Sequence, residues 1–288
     1  MSFAKTSITP PADPYTDYFT MYDHHSASIK NITDHFLAQP EVLALLLTGS
    51  LAHGLATRTS DVDVVVVLTE PAYQARLESG DTTFVRHDLC TYEGGYVDGK
   101  YASLSFIRSV SEKGSEPARW AFQGAKVLFS RNLPEGYPDL EQEIGAVVRY
   151  PVEEKQERIV RFRTQVELWR WFCTEARRGG NDNRYLLNVA VGKLALFGGR
   201  LILAENEVLY PYHKWFLRVL GSVREKPEGL VDKIDEMLRE PSQENIDGFY
   251  EMVVGFRDWA RPKHRFGAQF LEDSELNWLY LKTPVDDI

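Results

Sequence analysis

Cysteine is nearly absent. Cys90 and Cys173 are the only two in 288 residues, and they lie far apart with no CxxC or Cys/His spacing. Neither a disulfide scaffold nor a structural zinc site is indicated. No stretch approaches 18 consecutive apolar residues, which argues against a membrane span. The opening MSFAKTSITPPADPYTDYF lacks a basic start followed by an apolar core, so an export signal is not expected. Positive charge is also in deficit: 33 Lys plus Arg face 42 Asp plus Glu, a formal charge of −9 and a pI near 5.4. Such a chain repels phosphate backbones, which disfavours nucleic acid as a partner. There is no GxxxxGK[ST] loop, no GxGxxG fingerprint and no Ser/His/Asp set, leaving P-loop, dinucleotide-oxidoreductase and hydrolase chemistry without residue support. With 43% hydrophobic and 26% charged residues the composition is that of a folded domain rather than a disordered chain. A soluble cytoplasmic protein with one large or two modest domains is expected.

Residues 1–14, with Pro10, Pro11 and Pro14, read as an extended leader. Phe19, Tyr22, Ile29, Ile32 and Phe36 predict an amphipathic helix over 17–38, stopped by Pro40. His24 and His25 fall within it; adjacent helical residues point about 100° apart, so they cannot chelate one metal from one face, and a solvated face is expected. Val42–Leu47 and Asp63–Thr69 read as buried strands. Residues 82–92 and 96–107 flank Glu93-Gly94-Gly95 as a hairpin. A helix over 107–122 and a short strand at 126–130 complete a first domain, residues 1–150. From Pro151 the pattern turns helical: Ile159, Phe162, Val166, Trp169 and Cys173 line one face. Gly179-Gly180 ends that helix and Asn181 or Asp182 caps the next. Helices over 185–206, containing Gly198-Gly199, and over 212–220, 230–239 and 245–259 follow. The expected fold class is therefore α+β, a mixed-sheet domain followed by an all-helical bundle at 151–288. Within 151–220 there are 12 basic and 8 acidic residues, read either as solvated arginines or as a basic wall facing an anionic ligand.

The informative stretch is residues 45–68, LLLTGSLAHGLATRTSDVDVVVVL. Gly49-Ser50 follows an apolar strand and precedes a short helix, a place with free N–H groups and close backbone approach, both suited to phosphate. Ten residues separate Ser50 from Asp61; Asp61-Val62-Asp63 opens the next strand, and side chains two apart share a face. Paired carboxylates there offer the hard oxygen ligands that Mg²⁺ prefers, suited to two-metal activation of a hydroxyl for attack at phosphorus.

These residues resemble the signature of the DNA polymerase β-like nucleotidyltransferase superfamily. That signature is an apolar residue, Gly, Gly or Ser, nine to thirteen residues, then Asp, apolar, Asp or Glu, apolar. One departure is Thr48 at the apolar place, although Leu45–Leu47 precede it. The resemblance implies a third carboxylate on a later antiparallel strand; Asp98 fits by position, with Asp88 as the alternative. The segments 111–130 and 210–216 look like parts of bacterial nucleotidyltransferases with an appended helical domain, and the two-domain plan is similar to that of aminoglycoside nucleotidyltransferases. The resemblance implies two Mg²⁺ ions on Asp61, Asp63 and Asp98, ATP or another NTP as donor on Gly49 and Ser50, and a second domain that closes over nucleotide and acceptor. It implies transfer of a nucleoside monophosphate to a hydroxyl of a small molecule, aminoglycoside-like among others. A protein acceptor and a catalytically silent nucleotide-binding module are the other readings.

Lys193, in the apolar NVAVGKLALF, and Lys214 read either as triphosphate ligands or as lysines at helix edges. His213 reads as a structural neighbour of Trp215. Arg58 and Ser60 flank Asp61 and read as phosphate contacts or as plain loop. Trp169, Trp171, Tyr210, Tyr212 and Trp215 read as core more than as a stacking platform.

Overall fold

Leucine- and valine-rich runs demand burial on both faces, and two of them form the middle of a mixed sheet. The structure is a computed structural model and describes residues 21–137, 139–178, 183–280 and 282–288. It divides into two compact units, residues 1–113 with 121–148 and residues 114–120 with 149–288.

In the first unit α1 (Asp23–Leu37) leads into β1 (Val42–Thr48), the single turn α2 (Gly49–Ala52) and β2 (Val62–Leu68). Then come α3 (Glu70–Ser79), β3 (Thr83–Arg86), β4 (Val97–Ser103), α4 (Leu104–Lys113), β5 (Lys126–Ser130) and α6 (Leu140–Val147), with α5 (Glu116–Trp120) belonging to the second unit. The sheet order is β3-β4-β2-β1-β5. Every residue of β1 is buried, and in β2 only Asp63 is not. β1 and β2 are antiparallel with Thr48 opposite Asp63, and β2 and β4 are parallel with Asp63 opposite Asp98. Helix α1 packs on β1 and β2, α3 and α4 on β4, and α6 on β5.

Four expectations change here. The first helix begins at Asp23, its proposed start and the leader lying outside the described residues. The strand expected to reach residue 92 stops at Arg86, because the chain beyond it bonds to α1 instead of to β4. Thr91 N–H donates to Ser28 Oγ (3.1 Å), Thr91 Oγ1 to the His24 carbonyl (3.0 Å), and Asn31 Nδ2 to the Leu89 carbonyl (3.3 Å). The connection to β4 is therefore a long loop and not a tight hairpin. β4 runs parallel to β2, since the chain crosses through α3 and β3 before returning. The helix expected over 107–122 is two helices broken around Gly114.

In the second unit the regular elements among the described residues are all helical: α5, α7 (Lys155–Glu175), α8 (Arg184–Glu205), α9 (Phe216–Ser222), α10 (Leu230–Arg239), α11 (Gln243–Val254) and α12 (Phe266–Phe270). Residues 179–182 lie outside the described residues; Asn183 caps α8 by accepting from Leu186 N–H at 3.0 Å. Helix α9 starts four residues late because Tyr212 takes a left-handed φ of 66°. Gly198 and Gly199 are contact points: a Cβ would fall 2.5 Å from the Phe249 ring at the first and 2.3 Å from the Phe216 ring at the second. Helix α8 is long and apolar enough to cross a membrane, but 72% of its apolar window is buried within the protein.

The basic excess of 151–220 is only in part solvated: Arg178, Arg184, Lys214 and Arg218 are exposed, but its central arginines are inside. Arg158, Arg161, Arg163 and Arg200 are buried, with Glu116, Glu154, Asp273 and Glu167 as their carboxylate partners. Glu116 is the hub: its Oε1 accepts from Arg158 at 2.5 Å and lies 3.4 Å from Arg200, while Oε2 accepts from Tyr210 N–H at 2.6 Å. Arg200 also donates to the carbonyls of Asp286 and Ile288 and lies 4.4 Å over the rings of Phe162 and Tyr210. Replacing Glu116 with Ala leaves the buried Arg200 without a carboxylate and Arg158 with Glu154 alone, and urea denaturation should show a loss of about 3–5 kcal/mol; a loss under 1 kcal/mol would mean that the hub is dispensable.

Candidate active site

Three strand ends meet at one edge of the sheet. The antiparallel β1–β2 ladder sets the end of β1 beside the start of β2, and the parallel β2–β4 ladder sets the start of β4 beside it too. Asp61, Asp63 and Asp98 thereby each bring a carboxylate oxygen within 4.8 Å of the others; the first two are half-buried and Asp98 is exposed. Gly49, next after Thr48, has φ 64°, and a Cβ there would fall 1.8 Å from Asp63 Oδ2. Only glycine fits both that backbone and that space. Ser50 is 6% exposed, and its Oγ has no hydrogen-bond partner among the described residues. A buried unpaired hydroxyl is costly and marks a place for a ligand oxygen. Three hard carboxylate donors suit a divalent cation such as Mg²⁺ or Mn²⁺.

The loop before Asp61 is clamped by residues that sequence reasoning passed over. His25 is fully buried, and its Nε2 donates to the Ser60 carbonyl at 2.9 Å. Tyr92 Oη donates to the same carbonyl at 2.6 Å, and His24 Nε2 to the Arg58 carbonyl at 2.9 Å. The His24 ring lies 4.2 Å from that of His25 and 4.5 Å from that of Tyr92. Within the loop Ser60 Oγ accepts from Thr57 N–H at 2.8 Å. The two histidines are thus not a solvated face. His25 falls on the 22–29–32–36 stripe of α1, so its inward place was legible, but the loop carbonyls that the two histidines reach leave no mark in a sequence. Tyr96 was missed as well: the Asp61 carboxylate beside its hydroxyl, with the charge of Asp98 and Asp63, pushes its pKa up, so it stays protonated.

Residues 29–117 match the family model of the nucleotidyltransferase domain. This segment is a nucleotidyltransferase domain. It covers less than half of the chain but contains Gly49, Ser50 and all three aspartates. No curated protein matches the chain. Among solved structures, a nucleotidyltransferase-like protein from Exiguobacterium sibiricum 255-15 is similar at 13% identity, over 88% of this chain and 78% of that one. The TM-score of 0.45 is too low to add to the assignment.

Other residues singled out in the sequence lie elsewhere. In the nucleotidyltransferase domain Asp88 forms an exposed pair with Arg86 at 2.6 Å, which holds its carboxyl down at about 2. Arg58 is exposed. In the helical unit Lys193 is ion-paired with Asp286, and Lys214 is exposed, 5.2 Å over the Trp215 ring. His213 Nδ1 shares a 2.9 Å hydrogen bond with Tyr210 Oη. Tyr210 is buried, Trp169 and Trp215 are half-buried, and Trp171 and Tyr212 are largely exposed.

Two outcomes follow from this geometry. Gly49→Ala displaces the Asp63 carboxylate, so the thermal stabilisation produced by MgCl₂ or MnCl₂ in the parent should vanish while the far-UV circular dichroism is kept; retained stabilisation would show that Asp63 can give way. The second concerns acid. Burial lowers the pKa of His53 to about 4 and lowers that of His25. Both therefore bind fewer protons folded than unfolded, so their contribution to stability is complete above about pH 6.5 and is lost towards pH 4. The melting temperature should fall across that window, and less steeply in His53→Gln.

Proposed function

We propose that the chain is a Mg²⁺-dependent nucleotidyltransferase that moves a nucleoside monophosphate, AMP from ATP in the first instance, to a hydroxyl of a small molecule. The observation that carries this is the meeting of Asp61, Asp63 and Asp98 beside Gly49 and the unpartnered Ser50. In this reading Asp61 and Asp63 hold two metal ions and Asp98 completes the site. The ions, when bound, supply charge neutralisation and Lewis-acid polarisation at phosphorus.

The chain's own residues do the rest. Gly49 lets the β- and γ-phosphates approach the backbone, and Ser50 Oγ donates to a phosphate oxygen. Tyr96 and the clamp on the 57–60 loop hold Asp61 in one orientation. Asp98, the exposed carboxylate, faces the acceptor and takes its proton. The acceptor oxygen then attacks the α-phosphorus, the bond to the β-phosphate oxygen breaks, and pyrophosphate leaves.

For the helical unit the proposal is that it provides substrate-facing groups, with Lys193 and Lys214 as the cations offered to phosphate; Lys193 would first have to leave Asp286. Ser60 is the weakest of the proposed nucleotide contacts, because its hydroxyl and carbonyl both serve the loop. A small cationic acceptor suits a chain of charge −9. The free thiols of Cys90 and Cys173 suit a cytoplasmic location.

The test is pyrophosphate release with each NTP over a panel of hydroxylated small molecules. Asp61→Asn or Asp63→Asn should lower turnover at least about 100-fold with the melting temperature of the metal-free protein little changed. Full turnover in either variant would sink the mechanism. Label appearing on a protein band would move the acceptor to a protein.

A further inference from the structure

The densest basic run in this acidic chain is Arg261-Pro262-Lys263-His264-Arg265, four basic side chains in five residues and no acid. It lies in the helical unit between α11 and α12, and Arg261, Lys263 and His264 line a cavity of about 420 Å³. Opposite them α7 contributes Glu157 and Arg161.

Arg161 is 8% exposed, and the site is built around it. Its Nε donates to Asp273 Oδ1 at 2.7 Å, while Gln269, which also lines the cavity, donates to Asp273 Oδ2 at 3.2 Å. Asp273 is thus bonded on both oxygens, and its role is to hold the guanidinium. Among the described residues Asp273 is the only hydrogen-bond or ion-pair partner Arg161 has, so its terminal nitrogens are left to the cavity. Glu272 on the rim is paired with Lys282 at 3.5 Å. Arg261, Lys263 and His264 have no acidic partner among the described residues, which leaves Glu157 as the one unpaired carboxylate facing them.

Unpaired surface cations are common singly. Here they face a concave wall with a buried, braced arginine at its back, an arrangement that concentrates positive potential. Guanidinium groups match phosphate oxygens in pairs. Glu157 and the Gln269 carbonyl add acceptors for hydroxyl groups, and the volume falls within the range of small-molecule sites. We propose that this pocket binds a phosphorylated, hydroxyl-bearing small molecule, a nucleoside monophosphate or sugar phosphate, through Arg161, Arg261 and Lys263. The site requires no metal and does not depend on the proposed transfer reaction.

The test is calorimetric titration of the full chain in EDTA with AMP, ribose 5-phosphate and inorganic phosphate as probes. Three forms are compared: the parent, Asp61→Asn/Asp63→Asn, and Arg261→Ala/Lys263→Ala, whose substituted side chains are exposed and leave the core intact. At least one ester should bind saturably and about tenfold more tightly than inorganic phosphate. That affinity should be kept in the aspartate variant and fall at least tenfold in the basic-loop variant. Lack of saturable binding by the parent, equal affinity for ester and inorganic phosphate, or unchanged affinity in Arg261→Ala/Lys263→Ala would overturn the proposal. Loss confined to the aspartate variant would do the same by placing the ester at the triad. Pyrophosphate release, read separately with metal present, reports on the transfer reaction alone.

Discussion

Three carboxylates with oxygens within 4.8 Å of one another repel, and much of the first unit is arranged to hold them there. Like charges so close persist only with a cation or a proton between them, or where the backbone leaves them nowhere else to go. The sheet supplies the second condition. Asp63 and Asp98 are register partners on neighbouring parallel strands, and the β2 strand beneath them is buried apart from Asp63 itself. Retreat by one residue would carry Asp63 into a position that β2 otherwise buries. Asp61 precedes the strand and lacks that support, and it is there that His24, His25 and Tyr92 fasten the loop.

The same logic, with opposite sign, organises the second unit. Buried arginines on α7 and α8 would destabilise a helical bundle if left alone. Glu116, on the short α5, answers two of them and also accepts the Tyr210 N–H. A segment that precedes the rest of the unit in the chain thus belongs to it through one carboxylate and the buried Trp120. Arg161 differs in being braced on one edge only, and so its pocket and not the Glu116 hub offers charge to a ligand.

Chemically, the two units divide the signs. The nucleotidyltransferase domain presents three clustered carboxylates and a glycine turn, which the proposed function assigns to metal and polyphosphate. The helical unit presents fixed guanidinium groups and a basic loop, a place for an anion without metal.

Much of this was legible in the chain itself. Val42–Leu47 and the DVVVVLT run could only be buried strands. The Gly49-Ser50 to Asp61-Val62-Asp63 spacing pointed to the edge where the carboxylates meet, because hydrophobic period and glycine placement are local properties. The clamp on residues 57–60, the parallel direction of β4 and the inward turn of the arginines were not legible. Each depends on a partner far along the chain: His25 on the carbonyl of Ser60, β4 on the crossover through α3, Arg158 on Glu116. The sequence by itself determined which residues are apolar enough to be core and which acids lie at a strand start. Tertiary structure alone decided which charges are paired and which are left for a ligand. The reason is physical: an ion pair is set by distance in space, and a burial pattern by period along the chain.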